Sequence, residues 1–209
     1  KDPVNRPILA IGGVMALVVL ILVWASAANS GRYYAIEKKG ALQIWKGEFS
    51  PTGKKIITVL PGVALPEPAK AVYGAAELYP LAFDYYMNRA DALGNTQDVP
   101  DFDGIQTSLK AALSFSTTRE MQRNVMDRLD TIDRTALTYK AAEAARLGTI
   151  EGLSAAISLL MESAQLTTDK AEKDIINQRI DAHHAAIAQI EAESANNQLD
   201  ASDSSAETH

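Results

Sequence analysis

The twenty-three residues from Ile8 to Ser30 carry no charge, and most of the first two-thirds are Ile, Leu, Val, Ala or Met. At about 1.5 Å per helical residue, such a run crosses a hydrocarbon core of roughly 30 Å. Only a helix can do so alone, because lipid offers no partner to an unpaired backbone N–H or C=O. Residues 1–30 are therefore expected to form a transmembrane anchor, in contact with the lipid bilayer through residues 8–30. Trp24, Tyr33 and Tyr34 suit the aromatic belt at a membrane boundary. Gly12, Gly13 and Ala16 give a small-residue spacing that lets another helix approach closely. The rival reading is a cleaved secretory signal, with Lys1 and Arg6 as its basic start and Ala25-Ser26-Ala27 as its cleavage site. The apolar middle is long for a signal, which favours a retained anchor.

Orientation is argued from charge. Arg32, Lys38, Lys39 and Lys46 follow the span and only Lys1 and Arg6 precede it, which by the positive-inside rule places the C-terminal side in the cytoplasm. A large domain translocates with little regard to its charge, however. A chain that begins at Lys rather than Met is also expected to have residues upstream. The expectation adopted is a single-pass protein of a bacterial inner membrane, its soluble domain in the periplasm. The absence of cysteine fits either compartment and removes thiol chemistry altogether.

The formal net charge is −6, and no basic stripe interrupts it. Nucleic acid is excluded as a partner on that ground, since its binding needs clustered Lys and Arg. β-Branched runs are confined to the stretch before residue 69, and Ala is abundant after it. The fold class expected is mainly α: a transmembrane helix (1–30), a small three-stranded β section (31–62), a Pro-rich linker (63–77), a helical domain (78–194) and a disordered tail (195–209).

Residues 33–60 alternate as strands do, with Tyr34, Ile36, Leu42 and Ile44 expected on one face. Lys39-Gly40 and Ser50-Pro51-Thr52-Gly53 supply the turns, and Ile56 to Leu60 the third strand. A meander this small needs packing against something, and Trp45 and Phe49 are the expected fillers. From about Leu78 the period becomes 3.6. Pro80 suits a first helical turn, Asp101 an N-cap, and Thr117 with Glu120 a capping box. Residues 118–147 form one long helix or two joined near Asp130 to Asp133. Thr149 and Thr168-Asp169 open the last two helices.

Two parts of the helical region look alike. Tyr86, Ala90 and Leu93 are followed by Ile105, Leu109 and Ala112; Lys140, Ala144 and Leu147 are followed by Ala156, Leu160 and Ser163. Over residues 78–194 this pattern resembles the tetratricopeptide repeat, whose helix pairs interlock through small residues. Residues 117–133 lengthen the offset between the copies, and the large aromatic positions of that family are mostly aliphatic here. An irregular helical bundle is the alternative. The resemblance implies protein–protein contact, with a peptide or helix in a concave face.

Chemistry-bearing motifs are sparse. His183 and His184 are adjacent, so on a helix they point about 100° apart and cannot share a metal as an i, i+4 pair does; His209 stands alone. Asp101, Asp103 and Gly104 lack the later ligands of a calcium loop. No phosphate loop and no Gly-x-Ser-x-Gly elbow occurs. Asp127, Asp130 and Asp133 stand beside Arg123, Arg128 and Arg134, and are expected to form solvated pairs along one helix. No cofactor, no metal site and no catalytic residue is assigned. The expectation is a non-enzymatic scaffold or accessory subunit of a membrane complex, binding other membrane or membrane-associated proteins around Tyr85, Tyr86, Arg89, Tyr139 and Arg146. The runner-up is a homo-oligomer assembled through Gly12, Gly13 and Ala16.

Overall fold

A computed structural model describes residues 5–96 and 99–206. Lys1, Gln97, Asp98 and His209 lie outside the described residues. An apolar helix, α1 (Asn5–Ser30), comes first. The strands β1 (Tyr33–Lys38), β2 (Ala41–Gly47) and β3 (Lys54–Pro61) follow, then α2 (Ala75–Gly94), α3 (Phe102–Ser114), α4 (Arg119–Ala145), α5 (Ile150–Gln165) and α6 (Lys170–Ala206). The chain divides into two compact units: residues 1–89 with 111–122, and residues 90–110 with 123–209.

In the first unit, α1 supplies the one stretch among the described residues, Ile11–Ser30, that is long and apolar enough to cross a membrane. Its side chains from Ile11 to Trp24 are all exposed. The strands form an antiparallel sheet in the order β1-β2-β3. Lys39 and Gly40 both take positive φ, 55° and 71°, the backbone a two-residue hairpin turn requires. That turn sets Lys38 opposite Ala41, Ala35 opposite Ile44 and Ile36 opposite Gln43. Paired residues share a face, so Tyr34 and Ile36 lie on the side opposite Leu42 and Ile44. The expectation of one shared face is corrected: a two-residue turn pairs even positions with odd ones, and the pleat then alternates. The inner face holds Tyr33, Leu42, Ile44, Thr58 and Leu60, all buried.

Tyr73 pairs with Tyr33 at the sheet edge, and Leu78, Ala82, Phe83, Ala112 and Phe115 are also buried in this unit. A relay of rings runs through them. Tyr33 meets Tyr79 edge-on with centroids 5.5 Å apart, Tyr79 meets Phe115 at 5.3 Å, and Phe115 stacks on Tyr86 at 6.0 Å. The Tyr33 and Tyr79 hydroxyls hydrogen-bond at 3.0 Å, and the Tyr86 hydroxyl bonds Thr58 Oγ1 at 2.7 Å. Burial, followed by the bond to Tyr33, pushes the Tyr79 phenol above its usual range. Trp45 is half-buried, with a covered indole N–H that finds no acceptor. Phe49 is 67 % exposed, so it fills no core: it sits in the β2–β3 loop, outside the strands.

The end of α1 is built into the sheet. Asn29 is buried, and its side-chain amide donates toward the carbonyls of Glu48 (3.2 Å), Ser50 (2.9 Å) and Gly53 (2.7 Å). Its Oδ1 accepts from the Tyr34 hydroxyl at 3.2 Å. The Gly47 N–H bonds the Arg32 carbonyl at 2.9 Å.

α2 begins earlier than its period implied. Gly74 N–H donates to the Glu77 carboxylate at 2.9 Å, and Pro80 consequently falls inside the helix, where its ring forgoes one backbone bond. Lys70 pairs with Glu77. Its ammonium hydrogen bond, and then the Gly74 N–H, hold the Glu77 carboxyl below the usual range, and the same hydrogen bond raises Lys70. The cap of α4 shifts by one residue: Thr118 Oγ1, not Thr117, accepts from Met121 N–H at 3.1 Å.

In the second unit, Asp101 caps α3 as expected, accepting from Gly104 N–H at 2.9 Å. α4 is a single unbroken helix. Gly148, with φ 64°, ends it in the left-handed conformation that glycine takes without steric cost. Thr149 accepts from Gly152 N–H at 3.1 Å and Asp169 from Ala171 N–H at 2.8 Å, opening α5 and α6. Ala141, Ala156, Leu160 and Ile176 form one core, flanked by Ala144, Ala145, Leu159, Ala164 and Ile180. α6 runs to Ala206, through the boundary at residue 195 where lost apolar content implied a disordered tail; once a helix is nucleated, each further residue adds one backbone bond without needing a buried face.

Candidate functional site

The alanine-rich side of α4 leaves space beside α6. Ala141 and Ala142 are adjacent and Ala145 lies one turn further on, and alanine ends at Cβ. The result is a groove with α4 and α6 as walls and α5 as floor. One end, of about 490 Å³, is lined by Arg134, Thr135, Thr138, Tyr139, Ala142, Ser163, Glu172, Ile175, Ile176 and Arg179. The other, of about 460 Å³, continues past Ala141, Ala145, Arg146, Leu160, Ala182 and His183. Thr138, Ala142 and Arg179 border both ends.

The groove is apolar inside and cationic at its rim. Arg134 is well covered and held by Glu172 at 3.0 Å. Glu172 in turn accepts from Thr167 Oγ1 at 2.6 Å, which fixes the start of α6 against α4. Arg179 and Arg146 are exposed; Arg146, just past the end of α4, bonds Glu143 in its last turn at 3.0 Å. Ser163 is fully buried under the groove, where its hydroxyl lies 3.5 Å from both the Arg134 carbonyl and Thr138 Oγ1. An elongated apolar slot with arginines along its edge suits the apolar face of a helix or extended peptide whose flanks are acidic.

The expected contact residues are divided among several places. Tyr139 and Arg146 line the groove. Tyr139 also meets the Phe102 ring, centroids 5.9 Å apart. In the first unit, Tyr85 and Arg89 line a separate hollow of about 400 Å³ with Val63, Leu81, Asp84 and Asn88. Tyr86 is committed to packing, through Phe115 and Thr58. Gly12 and Gly13 have open space where a Cβ would stand, and Ala16 is exposed.

The charge pairs also differ from expectation. Arg128 pairs with Asp91, Arg134 with Glu172, and Asp133 with Gln106, so three of the six residues expected to pair along α4 reach across to other helices instead. Periodicity reports which residues share a face, not which neighbouring helix that face meets. Sequence reasoning missed Ala142, Ile175 and Arg179. The run Ala141-Ala142 with Ala144-Ala145 was the available signal, since consecutive small residues on a long helix mark a place where something can approach. His183 is half-exposed at one end of the groove and His184 is exposed. Among the described residues, no three His, Asp or Glu side chains come together as a metal site would need. Compared with known protein families, with curated proteins and with solved structures, the chain matches none.

Proposed function

We propose that this chain is a single-pass membrane protein whose helical domain, built of tetratricopeptide-like hairpins, is a non-enzymatic scaffold or accessory subunit. The observation that carries this reading is the groove between α4 and α6, apolar within and edged by Arg134, Arg146 and Arg179. The repeat reading draws support from the second helix of each pair. Ile105, Leu109 and Ala112 on α3 are buried, and so are Ala156, Leu160 and Ser163 on α5, the same three positions at +4 and +3 spacing. The partner is a polypeptide with an apolar face and acidic flanks. A photo-crosslinker at position 175 should capture it in native membranes. Ala142→Leu fills the slot, and Arg179→Glu reverses the rim charge. Each should lower the crosslink yield about tenfold, the loss of a typical binding hot spot. Unchanged yield in both variants would refute the groove as the docking site.

The anchor reading rests on length, composition and exposure. A core helix would be covered by its own chain, whereas residues 11–24 are bare. The helix also runs unbroken through Ala25-Ser26-Ala27 into the Asn29 joint. The soluble domain is assigned to the periplasmic side of a bacterial inner membrane. Protease added to intact spheroplasts should then digest it, with full protection there and digestion only after lysis reversing the assignment.

A second reading, self-assembly through the span, is favoured by the open space at Gly12 and Gly13. Gly12→Leu should then convert a detergent-solubilised oligomer to monomer on sizing; a species of unchanged size excludes this interface.

A further inference from the structure

The β2–β3 loop carries features that neither the sheet nor the groove uses. It is pinned by Asn29 to the last turn of α1, through three of its carbonyls. At its tip Phe49 is 67 % exposed. A hollow of about 400 Å³ beside it is lined by Ser30, Lys46, Gly47, Glu48, Phe49 and Lys55. Lys46 and Lys55 are direct cross-strand partners. Like charges so placed repel, and neither forms an ion pair with a carboxylate of the described residues; the same holds for Arg32 and Lys54. Lys46 lies over the Tyr33 ring and Lys54 over the Tyr34 and Trp45 rings instead. Glu48 is the one acid lining the hollow. A phosphate between two lysines would relieve their repulsion, and an aromatic ring beside it would sit at the headgroup boundary.

We infer that this loop rests on the membrane from which α1 emerges, with Lys46 and Lys55 gripping anionic lipid headgroups and Phe49 entering the interface. The inference depends on α1 spanning the bilayer, because Ser30 then lies at the boundary and Asn29 holds the loop at that height. The surface is a second membrane contact, which fixes the sheet against the bilayer rather than leaving it hanging from a flexible stalk.

The test uses full-length chain in vesicles with brominated acyl chains, either phosphatidylcholine alone or with phosphatidylglycerol added. Phe49→Trp is placed in a Trp24→Phe, Trp45→Phe background, and Trp45→Phe alone retains Trp24 as a reporter of the span. The Phe49→Trp signal should be quenched more strongly with phosphatidylglycerol, and high salt should weaken that difference. Lys46→Gln and Lys55→Gln should each shift the engaged fraction about fivefold toward the free loop. Quenching of Trp24 without quenching at position 49 overturns the loop contact and leaves the span intact. Absence of quenching at both positions overturns the span, and the loop contact with it. A Phe49→Trp signal that ignores lipid but responds to added polyglutamate also overturns the proposal, in favour of an acidic polypeptide.

Discussion

Gly47→Val is expected to destabilise the first unit by about 3 kcal/mol or more, by severing the sheet from α1. A Cβ at position 47 would stand 1.9 Å from the Asn29 carbonyl oxygen and 2.8 Å from its carbon. Both are backbone atoms, so no rotamer change relieves the clash, whereas ordinary overpacking costs about 1–3 kcal/mol against side chains that can yield. Moving the strand away would also stretch the Asn29 amide from the carbonyls of Glu48, Ser50 and Gly53, each such bond contributing about 1 kcal/mol. In a chain of this size, 3 kcal/mol corresponds to a fall in Tm of about 6 °C or more. Thermal melting in detergent reads the effect, and limited proteolysis locates it in the β2–β3 loop. Gly31→Ala is the control, because open space surrounds that position and its φ is ordinary. A melting point for Gly47→Val matching that of Gly31→Ala would mean the joint does not exist in solution.

This joint shows what the sequence could and could not disclose. The apolar run predicted α1, and the turn residues predicted all three strands, because both signals are local: a span needs only length without charge, and a tight turn needs only residues that accept positive φ. Asn29 carries no such signal. An Asn after an apolar run reads as the polar end of a helix, and its three carbonyl partners lie 19 to 24 residues away. Phe49 illustrates the opposite error. Large aromatics are usually buried, so composition alone assigned it to a core that it does not enter. In the helical domain the caps were legible within one residue, as Thr149 and Asp169 show, since a cap is a contact between residues two or three apart. The groove was not. Tyr139 and Arg146 were singled out as side chains that bind well, whereas the space they border comes from side chains that are small. Spacing on α4 also could not show that Arg134 bonds α6 and that Arg128 bonds α2, because those partners are fixed only when the helices pack.

The groove's floor depends on one more glycine, and its replacement is the second large effect expected. Gly152 is buried in the first turn of α5, where a Cβ would approach the Ala144 carbonyl oxygen at 2.6 Å and the Leu147 Cβ at 3.0 Å. Gly152→Val should cost about 3 kcal/mol, because α5 must lift from the end of α4 and the burial of Leu153, Ala156 and Leu160 loosens with it. Thr149→Ala is the calibrating variant. It removes the cap received by the same Gly152 N–H at 3.1 Å while adding no bulk, so about 1 kcal/mol is expected. Urea unfolding of the two variants separates the causes: both should lower the midpoint, with Gly152→Val the larger by roughly threefold. The same variant should release the partner crosslinked at position 175, since Leu160 and Ser163 form the bottom of the slot. A Gly152→Val chain as stable as the Thr149→Ala one would show that the helical hairpin tolerates a wider turn. Were it destabilised with the crosslink intact, the partner would be held by the α4 and α6 walls alone, and α5 would serve the fold rather than the docking.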